Sequence, residues 1–447
     1  MKKSLLVLAS SMLALSITAC GNSGNSGDKP EGGKNTGQVS GNQGDSNAKE
    51  KEMELKIGLP GSYDVTKKEI IDGFIAKHPN IKTTVVEAPW GDFTKKVQTE
   101  IAGGTAPDIW FQENAVILGY GARGVAEDIS EYIKRDLNED DYISGLFAAQ
   151  ASDGKVYGVP HGINPIALAY NKKMFEDAGI PLPTKDWTYE DMLNAAKKLS
   201  KDTDGDGKLD QYGFGASQSI TTGWYPWTRV KGGHVLDETK TKAMFDDPKS
   251  LEGIKIWANL IKDGISPDSD FYGANGGDWK AFASGKMAMF FMQYSVIPLI
   301  HNEFPDLDFD TVEIPKGFDG NRLVPMVTNS WLIFSKAKPD AKEAAWEFMK
   351  YYLSEEAQTI LAKSGAALPI HKKAMDQLDL TTNPKNKAAY SDGIAESGVT
   401  LDENPSWNEW RLAAQPIFND IFIGKLTPEE GVKQMQEKVQ SVLDENN

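Results

Sequence analysis

The sequence predicts an α/β protein with mainly parallel sheets, and two observations indicate this class. Strand-like and helix-like segments alternate from about residue 53 onward, and a second α/β set follows the first. The chain has 447 residues, which is enough for two domains or one large two-lobed body. In such proteins right-handed crossovers place strands in parallel, and ligands lie beyond the carboxyl ends of the strands.

Five alternating segments make up the first set. The strand-like ones are β-branched or alternate in polarity, and the helix-like ones end at Pro79 or at a glycine cap. They are a strand over 53–61, a helix over 65–79, a strand over 81–90, a helix over 92–104 and a short buried strand over 107–112. The loops at 60–64, 88–92 and 112–114 are therefore expected around one crevice.

The second set begins with strand-like residues from 157 onward and a helix that runs from Lys172 to Gly179. An amphipathic helix is predicted over 184–200. Further helices are predicted over 248–264, 339–365 and 427–443. The sequence contains no repeat with a fixed period of ~20–50 residues.

The N-terminal segment predicts export and lipid attachment. Lys2 and Lys3 precede an apolar run over 5–15, which has the length of a secretory signal and is too short to cross a bilayer. The next residues, "ITAC", end in Cys20 and resemble the lipobox of bacterial lipoproteins, in which that cysteine is lipidated. A plain signal peptide with an incidental cysteine is the alternative. We predict a lipoprotein signal peptide over 1–19, followed by the lipidated cysteine and a disordered polar tether over 20–52.

The composition excludes several classes of partner and site. With 48 Lys and Arg against 64 Asp and Glu, the formal charge is −16, which disfavours binding to nucleic acid or to anionic lipid headgroups. No later segment is long and apolar enough for a membrane helix. Cys20 is the single cysteine, so the folded body has no thiol for disulfides, thiolate metal sites or a cysteine nucleophile.

The stretch "DTDGDGKLD" predicts a structural calcium site. Its oxygen donors have the spacing of positions 1, 3, 5, 7 and 9 of an EF-hand loop, with a glycine at position 6. The predicted ligands are Asp202, Asp204, Asp206, the carbonyl of Lys208, and Asp210. Position 12 is Gly213 instead of the bidentate Glu, so another carboxylate has to complete the shell. The alternative is a solvated Asp-Gly turn.

Six phrases occur in an order that is typical of one family. They are "GGTAPDIWFQ", "VYGVPHGINPIALAYNKKMFEDAGI", "WTYEDMLNAAKKL", "FASGKMAMFFMQYS", "TNSWLIFSKAKPDAKEAAWEFMKYYLSEEAQ" and "GAALPIHKKAM". Together they resemble the extracellular solute-binding protein family 1, the maltose and multiple-sugar type that serves ABC importers. The resemblance implies a two-lobed periplasmic-binding-protein-like fold (type II) with hinged lobes. Lobe 1 is expected at 53–162 and 310–365, and lobe 2 at 163–309 and 366–447.

The resemblance also implies a carbohydrate, more specifically an oligosaccharide, bound between the lobes and delivered to ABC permease subunits. Eleven tryptophans, several in polar surroundings, fit this cargo because flat rings pack on the CH faces of sugars while polar side chains bind the hydroxyls. We expect a monomer held on the extracytoplasmic face of the cell membrane by its lipid alone. The long tether is typical of a Gram-positive surface.

Candidate ligand-binding residues in the first part of the chain follow the predicted strands. Trp90 ends the second strand, and His161 lies at an expected lobe crossover, where a neutral structural histidine is the alternative. The family places hydroxyl-binding groups at the positions of Gln112, Glu113 and Asn114. The acidic and arginine pair expected next for maltose is absent, because Ala115 and Val116 stand there.

Further candidates lie in three aromatic segments. In "GWYPWTR" three aromatic residues occupy four positions, which one face of a helix cannot bury together, so Trp224 and Trp227 are predicted to be exposed in the cleft. Tyr294 stands near the place of a family Gly-x-Trp, where this chain has Gln293, Tyr294 and Ser295. The remaining candidates are Asn329, Trp331, Trp407, Trp410 and Arg411. Trp110, Trp257 and Trp346 are predicted to lie in the core and Trp187 to pack at a helix start, while Trp279 is left unassigned.

Two other functions are compatible with these residues. A secreted lipid-anchored glycoside hydrolase needs two carboxylates roughly 5–10 Å apart, which an acidic chain can supply. The sequence has no nucleophile elbow, HExxH, P-loop or Rossmann motif, so we expect no enzyme. A sensor or adhesin with the same fold would have the same sequence features.

Overall fold

The structure, a computed structural model, describes residues 51–61, 65–143, 147 and 151–446. The predicted signal peptide, Cys20 and most of the tether lie outside the described residues. The strands are β1 (Met53–Pro60), β2 (Ile81–Ala88), β3 (Ile109–Glu113), β4 (Ala151–Ser152), β5 (Lys155–Val156), β6 (Val159–Asn171), β7 (Met289–Gln293), β8 (Phe309–Val312), β9 (Val324–Ile333) and β10 (Gly398–Val399). The helices are α1 (Val65–Lys77), α2 (Trp90–Gly103), α3 (Asn114–Ala122), α4 (Ser130–Asp136), α5 (Lys172–Asp177), α6 (Tyr189–Leu199), α7 (Tyr225–Arg229), α8 (Pro248–Lys262), α9 (Ser269–Ala274), α10 (Asp278–Ala283), α11 (Ile297–Glu303), α12 (Pro339–Leu353), α13 (Glu355–Ser364), α14 (Lys372–Met375), α15 (Ala388–Ser397), α16 (Trp407–Phe422) and α17 (Pro428–Asn446).

One mixed sheet connects the strands in the order β2-β1-β3-β9-β6-β7, with β8 beside β6 and β10 beside β9. The first set is as predicted, because β1 pairs in parallel with both β2 and β3. A mainly parallel arrangement is wrong for the rest of the sheet. The long strand β9 runs antiparallel to β3 and β6, and β6 runs antiparallel to β7 and β8. Only the two-residue strand β10 pairs with β9 in parallel among the described strands.

Strand β6 belongs to two groups of strands. Its first half, Val159–Pro165, pairs with β9, and its second half, from Ile166 onward, pairs with β7 and β8. The register shifts between Pro160 and Gly162, next to the predicted lobe boundary. Strand β8 pairs with the second half of β6, although residues from 310 onward were predicted in the first lobe. The lobe boundaries themselves stay a prediction.

Local sequence signals explain where several elements begin and end. Thr188 and Asp191 form a reciprocal capping box at the start of α6, and Gly104 ends α2 in the left-handed region with φ 69°. The single helix predicted over 339–365 is two helices, because the extended residue Ser354 ends α12 and caps α13 by accepting a hydrogen bond from Ala357 N. Helix α3 was not predicted.

The predicted core tryptophans are confirmed. Trp110, Trp257 and Trp346 have no exposed surface. Trp187 is partly buried just before α6, and Trp279 is partly buried against Phe304. Among the described helices, none has the combination of length and hydropathy needed to cross a bilayer.

Candidate ligand-binding site

A cavity of about 170 Å³ lies where the carboxyl end of β3 meets the start of α16. Its walls come from both predicted lobes, and Val327 and Thr328 of strand β9 contribute to them. The lining residues are Glu113, Asn114, Ala115, Ile220, Thr221, Gln293, Val327, Thr328, Leu401, Glu403, Trp407 and Arg411. We call this space the cleft cavity. Its position agrees with the expectation that ligands lie beyond the carboxyl ends of strands.

A buried hydrogen bond crosses the cleft cavity between the two predicted lobes. Asn114, the first residue of α3, donates from Nδ2 to Oε2 of Glu403 at 2.9 Å. Burial raises the pKa of the Glu403 carboxyl to about 7, against the opposing effects of the Asn114 hydrogen bond and the charge of Lys240. Glu403 is therefore poised between its protonated and ionised forms near neutral pH.

Trp407 and Arg411 form one wall of the cleft cavity. They are four residues apart on α16, and the guanidinium of Arg411 lies 4.6 Å from the centre of the Trp407 ring. The indole N–H donates to the carbonyl of Leu401 at 3.1 Å, which fixes the ring. The Nε of Arg411 is buried and has no hydrogen-bond partner in the described protein. It is therefore a donor that a ligand oxygen can satisfy.

Helix α3 approaches the segment before α16 very closely. A Cβ on Gly119 would lie 2.7 Å from the carbonyl oxygen of Pro405, so only glycine fits this contact. Arg123 and Glu409 add an ion pair at 3.7 Å, but both side chains are well exposed and the pair contributes little. Helix α3 and the segment before α16 are therefore in direct contact in this structure.

Four of the predicted ligand-binding residues line the cleft cavity together, namely Glu113, Asn114, Trp407 and Arg411. Ligand contact by these residues stays a prediction. Sequence reasoning missed the other lining residues, Glu403 and Gln293 above all. Gln293 ends β7 at the place of the family Gly-x-Trp, which was a usable signal. Glu403 lies four residues before Trp407, but nothing in the sequence indicates its burial.

The prediction that Trp224 and Trp227 are exposed in the cleft is wrong. Both are completely buried, because a π-helical turn over Ile220–Trp224 and the short helix α7 direct successive rings to different partners. Trp224 stacks on Phe418 of α16 with ring centres 4.1 Å apart. Trp227 packs edge-on against Tyr189, with ring centres 5.0 Å apart, and at a tilt against Phe291.

Three more predicted aromatic contacts are interior rings that do not line the cleft cavity. Trp331 packs within the core against Phe348, at 4.9 Å between ring centres. Trp410 lies behind Trp407, edge-on to it at 6.2 Å, and donates to Oδ1 of Asn404. Tyr294 packs on Tyr390 and is 1% exposed. In each case the ring is surrounded by protein on all sides, so it offers no face to a ligand in this structure.

The polar candidates Gln112 and His161 also point away from the cleft cavity. Gln112 is buried and donates to Oγ1 of Thr94 on α2. His161 is buried beside Phe111, and its Nδ1 hydrogen-bonds to the hydroxyl of Tyr352, which matches the structural alternative.

Two further candidates, Asn329 and Trp90, are not among the described residues that line the cleft cavity. Asn329 is half-buried on β9 opposite Glu113 and outside the lining. Trp90 begins α2, but its side chain lies outside the part of the chain that the structure describes.

The predicted calcium loop lies between α6 and Tyr212, well along the chain from the cleft residues. The carboxylates of Asp202, Asp204 and Asp210 each place an oxygen within 4.8 Å of the others. Backbone N–H groups of Gly207 and Gly205 donate to Asp202 and lower its pKa. The donor set of clustered carboxylate oxygens fits a hard divalent cation, but Asp206 does not join the three convergent carboxylates.

Comparison with known proteins decides the family. A family model described as bacterial extracellular solute-binding protein matches residues 69–388. The chain belongs to this family. A Brucella abortus protein named only as a binding protein is 26% identical over 379 residues, which cover 84% of this chain and 89% of that protein. The diacetylchitobiose binding protein DasA of Streptomyces coelicolor is 25% identical over 443 residues, which cover 95% of this chain and 94% of that protein.

Solved structures confirm the predicted fold of this solute-binding protein. An ABC substrate-binding protein of Listeria monocytogenes in complex with cycloalternan superposes with a TM-score of 0.78 at 23% identity, covering 88% of this chain and 99% of that one. The fold is therefore the two-lobed periplasmic-binding-protein-like fold, and the family resemblance drawn from the six phrases is confirmed.

Proposed function

We propose that this solute-binding protein captures a carbohydrate in the cleft cavity and delivers it to the permease of an ABC importer. The observation that carries the proposal is the wall formed by Trp407 and Arg411 opposite Glu113 and Asn114. An aromatic ring beside fixed donors and acceptors matches a molecule with CH faces and hydroxyl groups. Support also comes from relatives whose names state diacetylchitobiose or cycloalternan as ligand.

The number of exposed aromatic rings no longer supports an oligosaccharide, because five of the predicted rings are interior. The cleft cavity, at about 170 Å³, is also smaller than the ~300–1,000 Å³ of common ligand pockets. We therefore propose that an oligosaccharide enters only when α3 and the segment before α16 separate. Closure of a hinged pair of lobes on the ligand is the motion that this fold provides.

A thermal-shift screen against a panel of mono- and oligosaccharides, followed by calorimetry on the best ligand, tests the proposal. Trp407→Ala removes the ring that faces the cavity and is expected to weaken binding roughly tenfold or more. Trp187→Ala is the matched control, because Trp187 is partly buried in the second lobe's core and does not line the cavity. Equal loss of affinity in both variants, or no stabilising sugar in the panel, would contradict a carbohydrate site here.

Glycoside hydrolysis is the second candidate, because two carboxylates, Glu113 and Glu403, line the same cavity and burial raises the pKa of Glu403 to about 7. A carboxyl group with a raised pKa is the usual general acid of a glycosidase. Against this role, Asn114 already occupies one carboxyl oxygen of Glu403. Long incubation of the bound sugar with the protein distinguishes the two: intact sugar supports transport, and released shorter sugars support hydrolysis.

We also propose that Ca²⁺ binds the loop formed by Asp202, Asp204 and Asp210, with Asp206 and the Lys208 carbonyl as the further predicted ligands. Three convergent carboxylates repel one another without a cation, so binding is expected to raise the melting temperature. Melting of the calcium-loaded protein before and after EGTA tests this, with Asp202→Asn as the variant that should no longer respond. An unchanged midpoint after EGTA would remove the proposal.

The location on the cell surface is the last part of the proposal. We propose that Cys20 carries the lipid that holds a monomeric protein on the extracytoplasmic face of the membrane. Cys20→Ser should shift the protein from the membrane fraction to the soluble fraction. If the distribution stays unchanged, the signal segment is uncleaved or another attachment is present, and the lipobox interpretation is wrong.

A further inference from the structure

A second and larger cavity lies apart from the cleft cavity. Most of its lining residues belong to the predicted second lobe, while Arg322 and its neighbours in the loop before β9 belong to the predicted first lobe. It has a volume of about 520 Å³ and shares no lining residue with the cleft cavity. Its walls come from the end of α7, the start of α8, the loop before β9, and β10. We call it the lobe 2 cavity. Its volume is in the ~300–1,000 Å³ range of pockets that bind small molecules.

The charged residues that line the lobe 2 cavity are mainly positive. Arg229, Lys249 and Arg322 line it together with His234, and Asp319 is the one acidic residue in the described lining. Both oxygens of Asp319 already accept hydrogen bonds from Asn321, at 3.0 Å each. A cationic cavity stands out in a chain whose formal charge is −16.

Arg322 is a buried cation with unused donors. Its side chain is 3% exposed, yet its Nε and Nη1 have no hydrogen-bond partner in the described protein. Nη2 donates a hydrogen bond to the carbonyl of Lys185 at 2.5 Å, and Nε forms an ion pair with Glu396. Glu396 approaches Nε to 3.4 Å, but that carboxylate is half exposed and lies outside the lining. The ion pair therefore compensates Nε in part, whereas the buried Nη1 has no acceptor in the described protein. Buried donors are usually satisfied, so Nη1 indicates a missing acceptor.

Arg229 repeats this pattern on the neighbouring wall. Its Nη1 donates to the hydroxyl of Tyr225 at 2.9 Å and lies 3.7 Å from Asp402, while its buried Nε has no partner in the described protein. Two guanidinium groups with spare donors therefore line one concave space, with Lys249 on the exposed first turn of α8 beside it. Guanidinium groups bind carboxylate and phosphate oxygens in a bidentate manner.

We propose that the lobe 2 cavity is a second ligand site that binds a small anionic molecule through a phosphate or carboxylate group. The anionic oxygens take the free N–H donors of Arg322, and Lys249 contributes its charge at the mouth. Because the volume exceeds that of a bare ion, the rest of the molecule lies against the apolar part of the wall, at Leu323 and Val399. The site is independent of the carbohydrate proposal, since it uses different residues.

Calorimetric titration of the full chain with inorganic phosphate and, separately, with citrate tests the proposal at constant ionic strength in a chloride buffer. Saturable binding of phosphate alone assigns a phosphate group, and saturable binding of citrate alone assigns a carboxylate group. Arg322→Gln is expected to weaken binding roughly tenfold or more, and Lys249→Gln several-fold. Lys198→Gln is the matched control, because this exposed lysine of α6 lies outside the cavity.

Lys249→Gln keeps the test decisive if Arg322→Gln fails to fold, since Lys249 is on the surface and its loss leaves no buried gap. The melting temperature of Lys249→Gln should equal that of the unmodified protein, which confirms that the variant is folded. If neither anion gives saturable binding, the site does not exist. If Lys198→Gln weakens binding as much as Lys249→Gln, the lysines act only through the overall charge of the protein, and the proposal is wrong.

Discussion

The buried carboxyl of Glu403 makes the stability of this protein depend on pH in a predictable direction. Its pKa is raised by burial to about 7 from an ordinary value of 4.5. Each pKa unit corresponds to ~1.36 kcal/mol, so ionised Glu403 lowers the free energy of unfolding by at most roughly 3 kcal/mol. Between these two pKa values the folded protein holds more protons than the unfolded chain. The stability that the folded protein has with a protonated Glu403 is therefore fully present below about pH 4.5 and is lost as the pH rises through about 7.

Glu403→Gln isolates this effect because it removes the charge and keeps the shape and the acceptor for Asn114. At pH 8 the variant is expected to be the more stable protein, by up to roughly 3 kcal/mol, and near pH 5 the two should be similar. For a body of this size, 1 kcal/mol corresponds to about 1 °C in melting temperature, so the expected difference at pH 8 is about 3 °C.

Melting followed by tryptophan fluorescence from pH 5 to pH 8 measures the difference between the two proteins. Glu437→Gln, on the exposed face of α17, serves as the matched control and should show no pH-dependent difference. A difference between Glu403→Gln and the unmodified protein that stays constant over the whole range would refute the assignment of a raised pKa to Glu403.

Two further changes test the placement of residues around the cleft cavity. Trp224→Ala should lower the free energy of unfolding by about 3–5 kcal/mol in denaturant titration, because the ring is fully buried on Phe418. Sugar affinity of the folded variant should be unchanged, and a selective loss of affinity would show that the ring binds ligand after all. Gly119→Ala adds a Cβ at 2.7 Å from the Pro405 oxygen, so it should hold α3 away from that segment. We expect a lowered melting temperature, because a backbone oxygen has to move, and a several-fold weaker sugar affinity by calorimetry. Unchanged affinity would mean that this contact does not form in the bound state.

Much of the fold was predictable because hydrophobic periodicity reports local structure. The strands β1, β2 and β3 and the helices between them lie within a few residues of the predicted bounds, and Trp110 and Trp346 are core residues as expected. Helix α3 was missed for a physical reason. Its residues from Asn114 to Gly121 are all buried, so the segment has no polar face that would reveal a helical period.

The site was less predictable because polar residues beside a tryptophan in the sequence do not show whether its ring is exposed. Trp224 and Trp227 are flanked by Gly, Thr and Pro, yet the short helix α7 is covered on all sides by other elements. Asn114 and Glu403 form their hydrogen bond across 289 positions of sequence, and a single chain carries no signal for such a pair. The family resemblance indicated Glu113 and Asn114, and the aromatic segment around Trp407 indicated Trp407 and Arg411. All four line the cleft cavity, and ligand contact by them stays a prediction.

The central position of β9 has a consequence for how this protein folds during its synthesis. During synthesis β3 and β6 emerge long before β9, the strand that fills the space between them. Until residues 324–333 arrive, each of the earlier strands presents an open edge with unpaired amide groups. Such edges recruit strands from other chains, so a nascent copy is most prone to aggregate during this interval and benefits from a chaperone that covers them.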